Sequence, residues 1–275
     1  MPESTNASDM ERDTLSRGIE VFRLYCGIVV LSFAQHGQGL RDTIARNFVA
    51  RGMICTQSIV AVWNAGSDQD AWILHRSLLD RLLHLVHLGV TDGFSDFEEF
   101  SFRSMFEARQ QLLADPQMST KVPPGLKELQ KANKARYEAI DPTRPRWRRP
   151  KAEVVAKTMD LGFLYRFGYD YASTHVHPMA DDGEVDFKTL TSPAHLVTRP
   201  DATVVRNSIL VQTLLVHEAL NVSTLRWHAM VYDFLDQIRT FLGTGDTQQI
   251  DETFYNIGRF WPGVQICKPT KTSER

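Results

Sequence analysis

A chain of 275 residues, 43% hydrophobic and 23% charged, holds enough apolar material for one large core. Its formal net charge of −2 excludes a protein built mainly to coat nucleic acid, while leaving room for a local basic patch. Cys26, Cys55 and Cys267 form no CxxC pair, which argues against a disulfide framework or a zinc finger.

Residues 1–10 are polar and acidic, without a basic n-region or an apolar h-region, so the sequence predicts a disordered start and no signal peptide. The longest uncharged apolar stretch, Leu24 to Ala34, falls short of the roughly 20 residues that span a bilayer. A cytoplasmic protein with no membrane partner is the expectation.

From Glu11 to Gln35, Leu15, Ile19, Phe22, Cys26, Val29 and Phe33 recur at helical spacing. A second helix is expected from Leu40 to Asn64, with Ile44, Phe48, Cys55, Ile59 and Trp63 buried. Ser67, followed by Asp70, opens a Leu-rich third helix reaching Gly89, and Ser95 with Glu98 opens a fourth that ends near Asp115. Leu126 to Ile140 reads as a polar helix. The prolines of residues 141–151 forbid regular helix and leave a basic loop or linker.

Helix resumes over Ala152–Met159, breaks at Gly162, and continues from Phe163 to His177, where Pro178 ends it. Residues 178–200 read as an irregular acidic loop, and one long helix is expected from Asp201 to Leu242. A short amphipathic piece around Ile250–Phe260 follows. No convincing strand pair appears. The expected fold is all-α, a multi-helix bundle with an internal polar pocket. Residues 11–262 form a single helical domain in this reading, and 263–275 a polar tail.

The pocket is inferred from polar residues that interrupt apolar helices. On the third helix Arg76, Asp80, His84 and His87 fall in one stripe amid leucines. Buried charges need partners, so an internal stripe implies matching groups elsewhere. Tyr165, Tyr169, Ser173 and His177 supply a second stripe at steps of four. His217, Asn221, Thr224 and His228 supply a third, flanked by Glu218.

The segment Arg76-Ser-Leu-Leu-Asp80, with Tyr165, Tyr169, Ser173 and His177-Pro178 far downstream, resembles a family of bacterial helical proteins of unknown function. The resemblance covers roughly Ile44 to Pro178. It implies that Arg76, Asp80, Ser173 and His177 bear the site, with Asp80 where the family usually has Glu. More distantly the bundle is similar to the HEPN group of helical nucleotide-binding and RNA-cleaving proteins. Their nucleases place His four to six residues after Arg, and the pairs Arg166/His175 and Arg81/His84 do not keep that spacing.

Asp80, His84, His177, His217 and Glu218 offer nitrogen and oxygen ligands for a metal, although no sharp motif is present and no cofactor is named by the sequence. His217-Glu-Ala-Leu-Asn221 lacks the second histidine of HExxH. Arg146, Trp147 and Arg148, inside the basic loop, form a cluster able to grip phosphate and stack a base. The expected function is action on, or sensing of, RNA or a nucleotide, as a bacterial defence or stress effector. In this reading Arg76 holds phosphate, His177 is the acid or base and Asp80 orients it, with His84 and Ser173 beside them. Tyr165, Tyr169, His217 and Asn221 line the ligand. A non-catalytic scaffold and a metal-dependent hydrolase are the alternatives, and a homodimer is an open assembly.

Overall fold

The computed structural model describes residues 4–143, 146–177, 180, 183–191, 201–225, 228–246, 248, 249, 252 and 255. Arg144 of the basic loop, Asp181 and Asp182 of the acidic stretch, the tail 263–275 and most of 250–260 lie outside them. The regular structure described is helical, with no strand among the described residues. The chain divides into two compact units, Met1–Val86 with Lys151–Arg275, and His87–Pro150.

The larger unit begins with α1 (Ser4–His36), α2 (Gly39–Asn64) and most of α3 (Asp68–Thr91). It continues through α6 (Ala152–Thr158), α7 (Gly162–Leu164), a π-helical turn (Tyr165–Asp170), α8 (Tyr171–Thr174), α9 (Glu184–Thr191), α10 (Thr203–Asn221) and α11 (His228–Thr244). The smaller unit holds α4 (Phe94–Ala114) and α5 (Pro124–Glu138).

The apolar periodicity of α1 and α2 becomes a shared core. Leu15, Ile19, Phe22, Cys26, Val29 and Phe33 are all buried, as are Ile44, Cys55, Ile59 and Trp63. Residues 12–36 of α1 are long and apolar enough to cross a membrane, yet 56% of the most apolar window is packed inside the protein. Leu78, Leu79, Leu82 and Leu85 of α3 are fully buried, each contributing on the order of 1.5–3 kcal/mol of transfer free energy.

Helices α2 and α10 run antiparallel, as three rungs show. Asp42 bonds to Thr224, Val49 accepts from Gln212 at 3.1 Å, and Trp63 Nε1 donates to the Asp201 carbonyl at 3.0 Å. Gly52 allows the close approach at the middle rung, since a Cβ there would stand 2.2 Å from Gln212 Oε1. Helix α11 meets α1 where Tyr25 stacks on Phe234 and where Gly18 leaves room for the Phe241 ring.

Several boundaries differ from the sequence reading. Helix α1 starts at Ser4, well before Glu11. Helix α4 starts at Phe94 without a side-chain cap, and Glu98 instead pairs with Arg136 at 2.5 Å. Part of the stretch read as irregular is helical, α9. The long helix expected from Asp201 to Leu242 is two helices. Around Val222–Leu225 the Asp42 carboxylate takes the Thr224 N–H at 2.9 Å and its hydroxyl at 2.6 Å, while Ser223 Oγ donates to the Leu220 carbonyl. Side chains that compete for the backbone in this way end a helix.

Helices α2, α3 and α6 each close with a residue in left-handed conformation, Gly66, Asp92 and Asp160, followed by an N–H that reaches back five residues. This is the Schellman arrangement, with aspartate in the usual glycine position twice.

Candidate functional site

The first two polar stripes meet through one pair. Arg76 reaches from α3 to the π-helical turn, with Nη2 3.4 Å from the Tyr169 hydroxyl and the guanidinium 4.9 Å from the ring centroid. Its buried Nε has no hydrogen-bond partner, and no carboxylate pairs with Arg76 among the described residues. The Tyr165 ring stacks on Tyr169 with centroids 5.5 Å apart, and Ser173 Oγ donates to the Tyr169 carbonyl at 2.7 Å.

The remaining expected members are arranged differently. Asp80 is half-buried, and its carboxylate bonds to none of Arg76, His84 or His177 among the described residues. His84 Nδ1 turns back onto the Asp80 backbone carbonyl at 2.6 Å. His87 is half-buried at the start of the smaller unit. His177 is exposed and lies beyond the end of α8, because the helix stops at Thr174 rather than at Pro178. The expected Asp80–His177 acid–base pair is therefore not assembled.

The third stripe is shortened by the helix break. Asn221 Nδ2 lies 3.4 Å from His217 Nδ1 and 3.5 Å from Glu218 Oε2, a local group at the end of α10. Thr224 belongs to the break, and His228 opens α11. Neither Arg76 nor Ser173 bonds to His217, Glu218 or Asn221. Among the described residues no three His, Cys, Asp or Glu side chains gather as a metal site, so the candidates Asp80, His84, His177, His217 and Glu218 do not form one.

A cleft of about 850 Å³ opens elsewhere in the same unit, between α3, the π-turn with α8, and the start of α10. Its innermost polar group is His75, 1% exposed, which belongs to none of the three polar stripes. His75 Nδ1 lies 2.9 Å from Ser208 Oγ, and Ser208 donates its own proton to the Val204 carbonyl at 2.7 Å. With that proton on Val204 the serine oxygen accepts from Nδ1–H, and this tautomer leaves a lone pair on Nε2. Burial pushes the His75 pKa down from 6.5 to about 4, so the ring stays neutral.

Around His75 the rings of Trp72 and Tyr171 meet edge to face at 4.9 Å. Gly168 makes the approach of the π-turn possible, since a Cβ there would stand 2.9 Å from Leu79 and 3.5 Å from His75 Nε2. Partial burial raises the Asp68 pKa above its ordinary value, with His175 and Trp72 nearby opposing the shift. Only tertiary pairing with Ser208, 133 positions away, distinguishes His75 from an ordinary core histidine.

In the smaller unit the basic loop is anchored rather than free. Trp147 packs on Phe97 and Phe100, with centroids at 4.9 and 5.2 Å. Arg146 pairs with Glu107 at 2.9 Å, and Glu107 also accepts from the Tyr137 hydroxyl. Arg148 and Arg149 are exposed.

No curated protein and no solved structure matches the chain. The family model that does match spans residues 42–190, over half of the chain, and takes in Arg76, Asp80, Tyr169, Ser173, His177 and the His75 wall of the cleft. The chain belongs to the family of unknown function DUF5677.

Proposed function

We propose that the chain senses RNA or a nucleotide, with Arg76 and Tyr169 as the point of phosphate capture. The observation that carries this reading is a half-buried guanidinium that lies against a tyrosine ring and meets no carboxylate among the described residues. A guanidinium taken partly out of water calls for an anion, and its planar fork suits phosphate. The Tyr169 hydroxyl adds a donor, and the stacked Tyr165 extends an aromatic face. A distant HEPN-like relation, a cytoplasmic location and a role in bacterial defence or stress accord with this reading. Sensing is favoured over cleavage because Asp80 and His177 are not bonded to each other.

A second reading, a scaffold in which polar stripes merely fix helix register, draws on Ser173 and His84, both satisfied by carbonyls of their own helical segments. Fluorescence anisotropy of a labelled single-stranded RNA, with calorimetry of AMP and ATP, separates the two. Arg76→Ala is expected to weaken binding about tenfold, equivalent to 1.4 kcal/mol, with less salt dependence. Affinity that is absent, or indifferent to Arg76, leaves the scaffold.

A further inference from the structure

We infer that the His75 cleft is a separate binding site for a primary or secondary ammonium carried on an apolar body. Three independent features of the lining converge on that chemistry.

The first is the buried acceptor. His75 is 1% exposed and lines the cleft, and its Nε2 has no hydrogen-bond partner among the described residues. Because Ser208 holds the proton on Nδ1, Nε2 can only accept. A ligand seated there must present N–H or O–H, or it leaves a desolvated lone pair unmet.

The second is charge. Asp68, Asp170 and Asp201 line the cleft against Arg166, so the lining is formally acidic. The positive end of α10 does not reverse this. Asp201 already occupies it, accepting from the Thr203 N–H at 3.2 Å and the Thr203 hydroxyl at 2.5 Å. A phosphate would enter against the prevailing field, and an ammonium with it.

The third is the wall. Trp72, buried, meets the half-exposed Tyr171 edge to face, and Phe163 and Phe167, 73% and 56% exposed, meet at 4.8 Å on the rim. Aromatic faces attract a cation and cover the apolar remainder of the same molecule. A quaternary ammonium satisfies the rings and the carboxylates but offers Nε2 nothing, which narrows the class to amines that keep an N–H.

Calorimetric titration of the whole chain tests this with phenethylamine as the probe, beside 2-phenylethanol, phenethyltrimethylammonium and AMP. Phenethylammonium is expected to bind at least about tenfold more tightly than the alcohol or the quaternary analogue. Asp68→Asn is expected to weaken it by about tenfold, and Asp170→Asn by less, since one opposite charge is lost in each. His75→Phe should abolish the preference over the quaternary analogue. Should that variant not fold, the two carboxamide variants carry the test. Arg76→Ala should leave amine binding intact while weakening RNA binding, so the two sites stand or fall separately. Equal binding of the alcohol, indifference to both carboxamides, or competition by AMP overturns the amine assignment.

Discussion

His75 Nδ1 and Ser208 Oγ lie 2.9 Å apart inside the core, joining α3 to α10 through a serine whose own proton is committed to Val204. The pair holds a neutral imidazole where protonation is costly, with the pKa lowered to about 4 by burial. The unfolded chain takes up that proton near pH 6.5, before the folded chain does. Stability is therefore full above pH 6.5 and falls as the pH drops from 6.5 towards 4, by roughly 3 kcal/mol in all. Urea unfolding between pH 7.5 and 4 should show this slope in the natural chain and lose it in His75→Phe. The variant serves as the reference because Asp68, Asp170 and Asp201 line the same cleft. Parallel curves for the two proteins would rule the mechanism out.

Gly52 and Gly27 offer a matched comparison of helix glycines. At Gly52 an added Cβ meets Gln212 Oε1 at 2.2 Å and Leu215 Cδ2 at 2.6 Å, both buried, whereas at Gly27 it meets nothing within 4 Å. Gly52→Ala is expected to destabilise by about 1–3 kcal/mol through overpacking. Gly27→Ala should stabilise by up to about 1 kcal/mol from helix propensity alone. Thermal unfolding should move the two midpoints in opposite directions, and a stabilised Gly52→Ala would show that α2 and α10 are less tightly apposed.

Legibility in the sequence followed the range of the interaction. Apolar repeats are local, so Leu15 to Phe33 and the leucines of α3 declared their helices and their buried faces. The meeting of Arg76 with Tyr169 was legible as two stripes lining one pocket, but the π-turn between Tyr165 and Asp170 altered the register that placed His177 with them. The break after Asn221 had a local signal in Asn221-Val-Ser-Thr224, a run that is poor in helix formers, but its cause is Asp42, 182 residues earlier. His75 carried no signal at all. A lone histidine among leucines looks the same whether it is a filler or the base of a cleft, and only Ser208 and Gly168 tell the difference.

Asp42 is 1% exposed and gathers the Gln38 N–H at 2.5 Å, the Thr224 N–H at 2.9 Å and the Thr224 hydroxyl at 2.6 Å. One carboxylate thus fixes the start of α2 and the turn between α10 and α11. Asp42→Ala strands these donors and is expected to cost on the order of 3 kcal/mol. Thr224→Val removes only the hydroxyl and should cost about 1 kcal/mol. In the double variant the losses should fall short of additive, because the hydroxyl bond is already gone. Strict additivity in denaturant unfolding would mean that the two side chains act independently.

Trp147 and its arginine neighbours divide between two tasks that different measurements can separate. The indole rests on Phe97 and Phe100, and Arg146 is held by Glu107, so these two residues tie the loop to α4 within the smaller unit. Trp147→Ala is expected to destabilise that unit by about 2–3 kcal/mol, less than a fully buried tryptophan because the ring is half-buried. Arg146→Ala removes an exposed ion pair and should shift stability by under about 1 kcal/mol. Arg148 and Arg149 are exposed and have no ion pair among the described residues, which leaves them as the loop's charge for an anionic partner. Replacing both with Ala should leave the melting temperature unchanged. If RNA binds, the same change should flatten the dependence of its affinity on salt by about two counterions. An unaltered salt slope would reduce the loop to a structural strap, and a large loss of stability in the double variant would mean that the two arginines also hold the fold.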